Sequence, residues 1–204
     1  MTRTVVSVVL AYGLGSIPFA LILARRVRGV DLRLRGSGNV GAANAFRTTG
    51  KVVGVATLAL DMAKGVLSVL LAQRLVDDGT MTVPTVAGLA AVAGHIYPVW
   101  IHFRGGKGVA TACGVFAVLA PAATAAAGVV FVVTAWSTRY VSLGSVAGTV
   151  ALGPVAYWLE APPVVVAGAA VSAAMIVFRH RVNLSRVRAG AERRIGRAAG
   201  GRST

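Results

Sequence analysis

Long apolar runs alternate with short polar, glycine-rich stretches along the whole chain. The first run, residues 4–24, carries no charge over about 20 residues, enough to cross a hydrocarbon core at about 1.5 Å of rise per residue. Its basic cluster, Arg25, Arg26 and Arg28, follows rather than precedes it, and no small-residue cleavage site closes it. The pattern predicts a retained first helix rather than a signal peptide. Further apolar runs cover residues 52–72, 83–101, 109–134, 141–159 and 164–178. Three polar stretches separate or overlap them: residues 25–51, 94–111 and the tail from 179 to 204. All basic residues except Arg3, Lys64, Arg74 and Arg139 lie in these three stretches. The positive-inside rule therefore puts all three on the cytoplasmic face.

That placement imposes a parity condition, because an even number of crossings must separate any two stretches on one face. The interval between the first two satisfies it, with an external connection at residues 73–82 that contains Asp77 and Asp78. The next interval shows three apolar runs, which is odd. Pro121 is the natural break, since proline cannot continue a helix from the preceding turn. Splitting there gives short, broken helices around Pro121 and four crossings; it also places Arg139 inside and the Glu160-Ala161-Pro162-Pro163 linker outside. A helix over 109–120 would be only about 18 Å long, so it starts within the membrane depth and the second polar stretch dips inward. The expected fold is all-α: a polytopic integral membrane bundle of seven helices, five being the alternative. It forms a single domain over 1–204, with the N-terminus outside and the C-terminus cytoplasmic. Trp136, Tyr140, Tyr157 and Trp158 fall near helix ends, where amphipathic rings are favoured.

Composition agrees: 56% of the 204 residues are hydrophobic and 13% charged, against about a quarter charged in soluble domains. A formal net charge of +15 would suggest nucleic acid in a soluble protein; here its position assigns it to the membrane face and its lipids. The single cysteine, Cys113, excludes a disulfide framework and a multi-cysteine metal site. The sequence calls for no metal and no cofactor.

The chemistry sits in the polar stretches. The first reads Gly36-Ser37-Gly38-Asn39-Val40-Gly41-Ala42-Ala43-Asn44-Ala45-Phe46-Arg47. Small residues let backbone approach a ligand, while Ser37, Asn39, Asn44 and Arg47 supply neutral and cationic donors suited to an oxyanion or phosphate. A flexible turn is the plainer alternative. The second contains Arg104-Gly105-Gly106-Lys107-Gly108 directly before an apolar helix. Free backbone N–H groups, a helix N-terminus and a lysine point charge together cradle phosphate. It is not a nucleotide-hydrolysing P-loop, because Gly108 follows Lys107 where Ser or Thr would stand. His95, at the end of an apolar helix, is a candidate ligand-positioning group, and His102 an interfacial ring. Asp61 and Lys64, three apart near mid-span, face the bundle interior. They either anchor the bundle as a mutual pair, or orient loop donors and line a polar path. The tail carries His180 and Asn183 at helical spacing and the acidic Glu192 among arginines; a basic lipid anchor explains the arginines but not these three.

At these residues the chain resembles the membrane acyl-phosphate:glycerol-3-phosphate acyltransferase family (the PlsY type), bacterial enzymes that make lysophosphatidic acid. The matching segments run in one order over nearly the whole chain: Gly15-Ser16-Ile17-Pro18-Phe19, the first-loop motif, Asp61 with Lys64-Gly65, and Gly94-His95 with Pro98. They continue with Phe103 and Gly105 to Thr111, Arg139-Tyr140-Val141-Ser142-Leu143, and Arg179-His180-Arg181 with Asn183, Arg186, Gly190 and Glu192. Val182 and Ala191 depart from the family's usual acidic residue and threonine. The resemblance implies a multi-pass enzyme of the bacterial inner (plasma) membrane, catalysing the first step of phospholipid biosynthesis without cofactor. Its substrates would be acyl phosphate and glycerol 3-phosphate, with an upstream acyl-phosphate-forming enzyme as a partner and no nucleic acid involved. Ser37, Arg47, Lys107, His180 and Asn183 are then the catalytic set. Gly38, Asn39, Asn44, His95, Arg104, Gly105, Gly106, Gly108, Thr111 and Ser142 bind substrate, and Asp61, Lys64 and Glu192 are structural.

The implied reaction is direct acyl transfer, in which the primary hydroxyl of glycerol 3-phosphate attacks the acyl carbonyl and phosphate leaves. Two phosphates need holding, and the sequence offers two donor-rich loops on one face. Ser37, Asn39, Asn44 and Arg47 would serve the acyl phosphate and oxyanion; Lys107 and the second loop's glycines would serve glycerol 3-phosphate. A His-x-x-x-x-Asp acyltransferase is excluded by inspection, since Trp100, Lys107 and Ser185 stand five after the three histidines. A membrane enzyme using acyl-CoA, a small anion or phosphate transporter, and a lipid-binding anchor are the rival readings.

Overall fold

The computed structural model describes residues 1–76 and 79–196; Asp77 and Asp78, expected in the external connection, and the tail beyond 196 lie outside them. Among the described residues there are nine α-helices. They are α1 (Thr2–Gly15), α2 (Phe19–Arg28), α3 (Ala42–Thr49), α4 (Lys51–Leu75), α5 (Thr82–Ile96), α6 (Val109–Leu119), α7 (Pro121–Thr138), α8 (Val141–Trp158) and α9 (Pro163–Arg188). Together α1 and α2 make one long apolar span, α5 with the 3-10 turn that follows it (Thr82–Ile101) makes another, and α4, α7, α8 and α9 are each long and apolar enough to cross. The short apolar α6 makes up the expected seven, and the break at Pro121 falls where parity requires it.

Two boundaries differ from expectation, for identifiable reasons. The first apolar run is not one helix: it breaks at Ser16–Pro18 and resumes at Phe19. Pro18 offers no N–H and disfavours helical backbone at Ile17, so the Ile17 carbonyl is released from the helical ladder for other donors. At the other end α9 runs on to Arg188 instead of stopping near Phe178. No glycine or proline interrupts residues 179–189, and the basic residues of its last turn suit the negative end of the helix dipole. His180 and Asn183 therefore stand on a rigid helix, not in a loop.

Apolar solvent supplies no hydrophobic drive between helices, so close backbone packing at small residues must hold the bundle. Helix α4 lies against α6, where a Cβ on Gly65 would strike the Thr111 carbonyl and one on Gly114 the Met62 carbonyl. Helix α1 approaches α5 in the same way, Gly15 against Ala91 and Gly94 against Tyr12. Phe116, Val115, Val92, Ile96 and Ile176 fill the centre between α5, α6 and α9. Helices α7 and α8 pack mainly on each other and α8 on α9, which leaves Trp136, Tyr157 and Trp158 exposed near their ends.

The three polar stretches meet at one end of the bundle. The Lys107 ammonium reaches Asn183, and the Ile195 N–H donates to the Arg139 carbonyl at 2.8 Å, so Arg139 shares that end as parity demanded.

Gly114→Leu should destabilise the bundle by about 1–3 kcal/mol, the usual cost of overpacking, read as a lowered unfolding temperature in detergent. Gly128→Leu on α7, where a Cβ meets nothing within 4 Å, should leave that temperature unchanged.

Candidate functional site

The first loop is built around Asn44. Its side chain is 1% exposed; Nδ2 donates to the carbonyls of Leu32, Arg35 and Asn39, while Oδ1 accepts the Ser37 N–H at 3.0 Å. A buried amide with both ends engaged holds the loop closed and has no donor left for a ligand. The expectation that Asn44 binds the oxyanion is thereby corrected: it shapes the loop that presents Ser37. Asp31 caps the preceding 3-10 turn by accepting the Arg33 N–H, and pairs with Arg33 and Arg25. Hydrogen bonds from those two guanidiniums hold its carboxyl well below the usual carboxylate range. From α3, Arg47 reaches the Ser37 hydroxyl at 3.4 Å. Loss of hydration and the neighbouring Arg193 push its guanidinium pKa down, opposed by Glu192. Ser37 and Gly38 are exposed, and Asn39 is half-buried.

The second loop doubles back under its own helix. His102 and Phe103 adopt positive φ, 54° and 60°, a reversal that returns the chain along the end of α5. The Gly105 N–H then donates to the Ile96 carbonyl and the Gly106 N–H to the His95 carbonyl, both at 3.1 Å. This corrects the expectation of free N–H groups at Gly105 and Gly106: both are committed within the protein. Their carbonyls are gripped in turn by the Arg179 guanidinium at 3.2 and 3.3 Å. The glycines are needed for closeness, since a Cβ on Gly105 would strike the His95 carbonyl. Gly108, with φ of 90°, caps α6, whose first N–H groups have no helical acceptor and point at the loop.

Lys107 is the centre. Its Nζ donates to Asn183 Oδ1 at 2.6 Å, and Asn183 Nδ2 donates to Glu192 Oε1 at 2.7 Å. Gly190, at φ 66°, reverses the chain after α9, and the N–H groups of Ala191 and Glu192 return to the Arg186 carbonyl. The tail is then fastened by Arg194, which donates to the Tyr140 hydroxyl at 3.0 Å and lies over its ring. Burial pushes the Lys107 pKa down to about 8; Glu192 opposes the shift, and Arg47, Arg179 and Arg186 add to it. Cations of the first and third stretches thus surround Lys107 of the second.

His180 is 2% exposed, and its Nδ1 lies 2.8 Å from the Ile176 carbonyl. A carbonyl only accepts, so Nδ1 carries the hydrogen and Nε2 is the acceptor of the neutral ring. The hydroxyls of Thr111, in the first turn of α6, and Ser142, in the first turn of α8, are buried without a hydrogen-bond partner among the described residues. Arg104 is exposed on the loop. His95 stands beneath the loop beside Asp61, with its ring against Gly106. Arg179 was not singled out from sequence, where it read as one more tail arginine; its place one helical turn before Asn183 was the available signal.

Comparison with known proteins identifies relatives over nearly the full length. The family model for glycerol-3-phosphate acyltransferase matches residues 5–190. Glycerol-3-phosphate acyltransferase of Myxococcus xanthus is 50% identical, covering 92% of this chain and 97% of that protein. That of Syntrophotalea carbinolica is 43% identical, covering 95% and 98%. The crystal structure of PlsY (YgiH), an integral membrane glycerol 3-phosphate acyltransferase, in its glycerol 3-phosphate form superposes with a TM-score of 0.89. The two chains are 41% identical, with 95% of this chain and 96% of that one covered. Its lysophosphatidic acid form gives a TM-score of 0.87 at 40% identity, covering 95% of each chain.

Proposed function

This chain belongs to the glycerol-3-phosphate acyltransferase family, and from that premise we propose that it moves a fatty acyl group from acyl phosphate to the sn-1 hydroxyl of glycerol 3-phosphate. The products are lysophosphatidic acid and inorganic phosphate. One observation supports the donor assignment: the site has two flanks of donors suited to anions, Ser37 with Arg47 on one side and Lys107 with the start of α6 on the other. Two phosphates fit two flanks. A solved relative is described in a glycerol 3-phosphate form and a lysophosphatidic acid form, which supports the acceptor and the product. The family assignment sets the transporter alternative aside.

Lys107 neutralises the acceptor's phosphate, with Gly105 and Gly106 setting its height and Gly108 opening the helix N-terminus. Arg47 and Ser37 hold the donor's phosphate and the oxyanion that forms as the hydroxyl attacks the carbonyl. His180, presenting the lone pair of Nε2, accepts the hydroxyl hydrogen bond and aims the nucleophile; Asn183 fixes Lys107. The new ester C–O bond forms as the carbonyl's bond to the phosphate oxygen breaks. The hydroxyl proton passes to the departing phosphate, which is basic enough to take it. The clustering of positive charge at this end supports a cytoplasmic site, with the protein in the bacterial inner membrane.

Purified protein in lipid should form lysophosphatidate from palmitoyl phosphate with one phosphate released per ester, and not from palmitoyl-CoA; product from the CoA ester alone would overturn the donor assignment. Lys107→Ala should lower kcat/KM for glycerol 3-phosphate at least tenfold, since a charge-assisted contact contributes about 1.5–3 kcal/mol. The free enzyme's Lys107 is protonated below about pH 8 and neutral above it. The KM for glycerol 3-phosphate should therefore rise as pH increases through that value. Lys107→Arg, whose guanidinium stays charged, should abolish that rise; a pH-independent KM in the parent would exclude Lys107 as the phosphate cation.

A further inference from the structure

Beneath the two loops lies an ionic group to which the acyl transfer gives no task. Asp61 and Lys64 of α4 are each 2% exposed, and Nζ sits 2.9 Å from Asp61 Oδ1. Lys64 also donates, at 3.0 Å, to the Ile17 carbonyl that the Pro18 break releases, and lies 5.8 Å from the centre of the Phe19 ring. The same Asp61 oxygen lies 3.5 Å from His95 Nδ1. The far nitrogen of that imidazole, Nε2, abuts Gly106 so closely that any Cβ there would strike it, and the His95 carbonyl takes the Gly106 N–H. A small cavity at this junction is lined by Ser16, Val40, Asp61, Lys64, His95 and Gly106, so residues of both loops rest on one floor.

We infer that Asp61, Lys64 and His95 are positioning residues that set the height of Gly106 and, through it, of Lys107 against the phosphate of glycerol 3-phosphate. The line of contacts runs without a gap from the broken first span through Lys64, Asp61 and His95 to the residue before Lys107. A purely stabilising purpose fits poorly. Ionisable groups at membrane depth cost several kcal/mol, and apolar replacement of a buried pair is often neutral or favourable. What an ionic network does supply is a single geometry, and the group it presses on is the backbone that carries Lys107.

The inference rests on the assignment of Lys107 to glycerol 3-phosphate. Its test is steady-state kinetics of lipid-embedded variants, with unfolding temperature measured alongside. His95→Ala, and the double change Asp61→Leu with Lys64→Met, which leaves no unpaired charge, should each raise the KM for glycerol 3-phosphate tenfold or more. The KM for acyl phosphate should stay within twofold, and added imidazole should recover part of the His95→Ala loss. Gly106→Ala should give the same defect in the parent yet cost less than twofold further in the His95→Ala background, since the two changes act on one contact. A lowered unfolding temperature with both KM values unchanged, or additive effects of His95→Ala and Gly106→Ala, would overturn the inference. Lys107→Ala, run in parallel, separates the two ideas. If it raises the glycerol 3-phosphate KM while His95→Ala does not, the positioning network fails and the binding assignment stands. If Lys107→Ala itself leaves that KM unmoved, the binding assignment falls and takes the network with it.

Discussion

Arg47, Lys107, Arg179, Arg186 and Arg193 gather with Glu192 at one end of a bundle whose interior is mainly apolar. Like charges held this close repel, and half-burial strengthens the repulsion. Burial is the main reason that Lys107 gives up its proton readily, and this repulsion adds to it. Such a cluster lasts only where rigid elements impose it, and it is relieved when anions enter. The protein without substrate is thus a site under electrostatic tension, and much of the remaining structure serves to keep these cations from spreading apart.

The bundle does so by taking each cation from a different rigid support. Arg179 and Arg186 ride on α9, which leaves the apolar layer as an unbroken helix. Arg47 ends a short helix whose start is fixed by the Asn44 amide. Lys107 sits in a loop wedged between the end of α5 and Arg179. The tail, which supplies the single carboxylate, is fastened at the turn before α8 by Arg194 on Tyr140. Asn183 joins the two opposing charges, accepting from Lys107 and donating to Glu192. A neutral amide suits that position because it offers an acceptor to one side and a donor to the other.

The architecture was readable from sequence because partitioning into lipid depends on side chains, and hydropathy measures side chains. Seven apolar segments, the break at Pro121 and the common face of three basic stretches all follow from that property. What hydropathy does not register is the fate of backbone groups. The interruption at Ser16–Pro18 is hidden inside an unbroken apolar run, and only the Ile17 carbonyl's meeting with Lys64 gives it meaning. The commitment of the Gly105 and Gly106 N–H groups depends on a reversal at His102 and Phe103, and a phenylalanine does not announce left-handed backbone. Asn44 looked like a donor for a ligand because composition cannot say which way an amide faces. The helical continuation to Arg188 was missed because the apolar signal stops at the membrane boundary while the helix does not.

The position of the cluster at that boundary also bears on how the products leave. With acyl phosphate as donor, both substrates bring phosphate to the cations, and of the two products only one carries the acyl chain. Inorganic phosphate has no apolar part and returns to water, while lysophosphatidate keeps a chain whose every buried methylene adds about 0.8 kcal/mol in favour of lipid. A site deep in the bundle would trap the ion, and one wholly in water would expose the chain. A charged cluster carried on helix ends, with apolar helix faces directly below it, leaves each product a downhill route, and the cations face one another again as the phosphates depart. The repulsion that adds to the burial-lowered Lys107 pKa then favours entry of the next pair of anions.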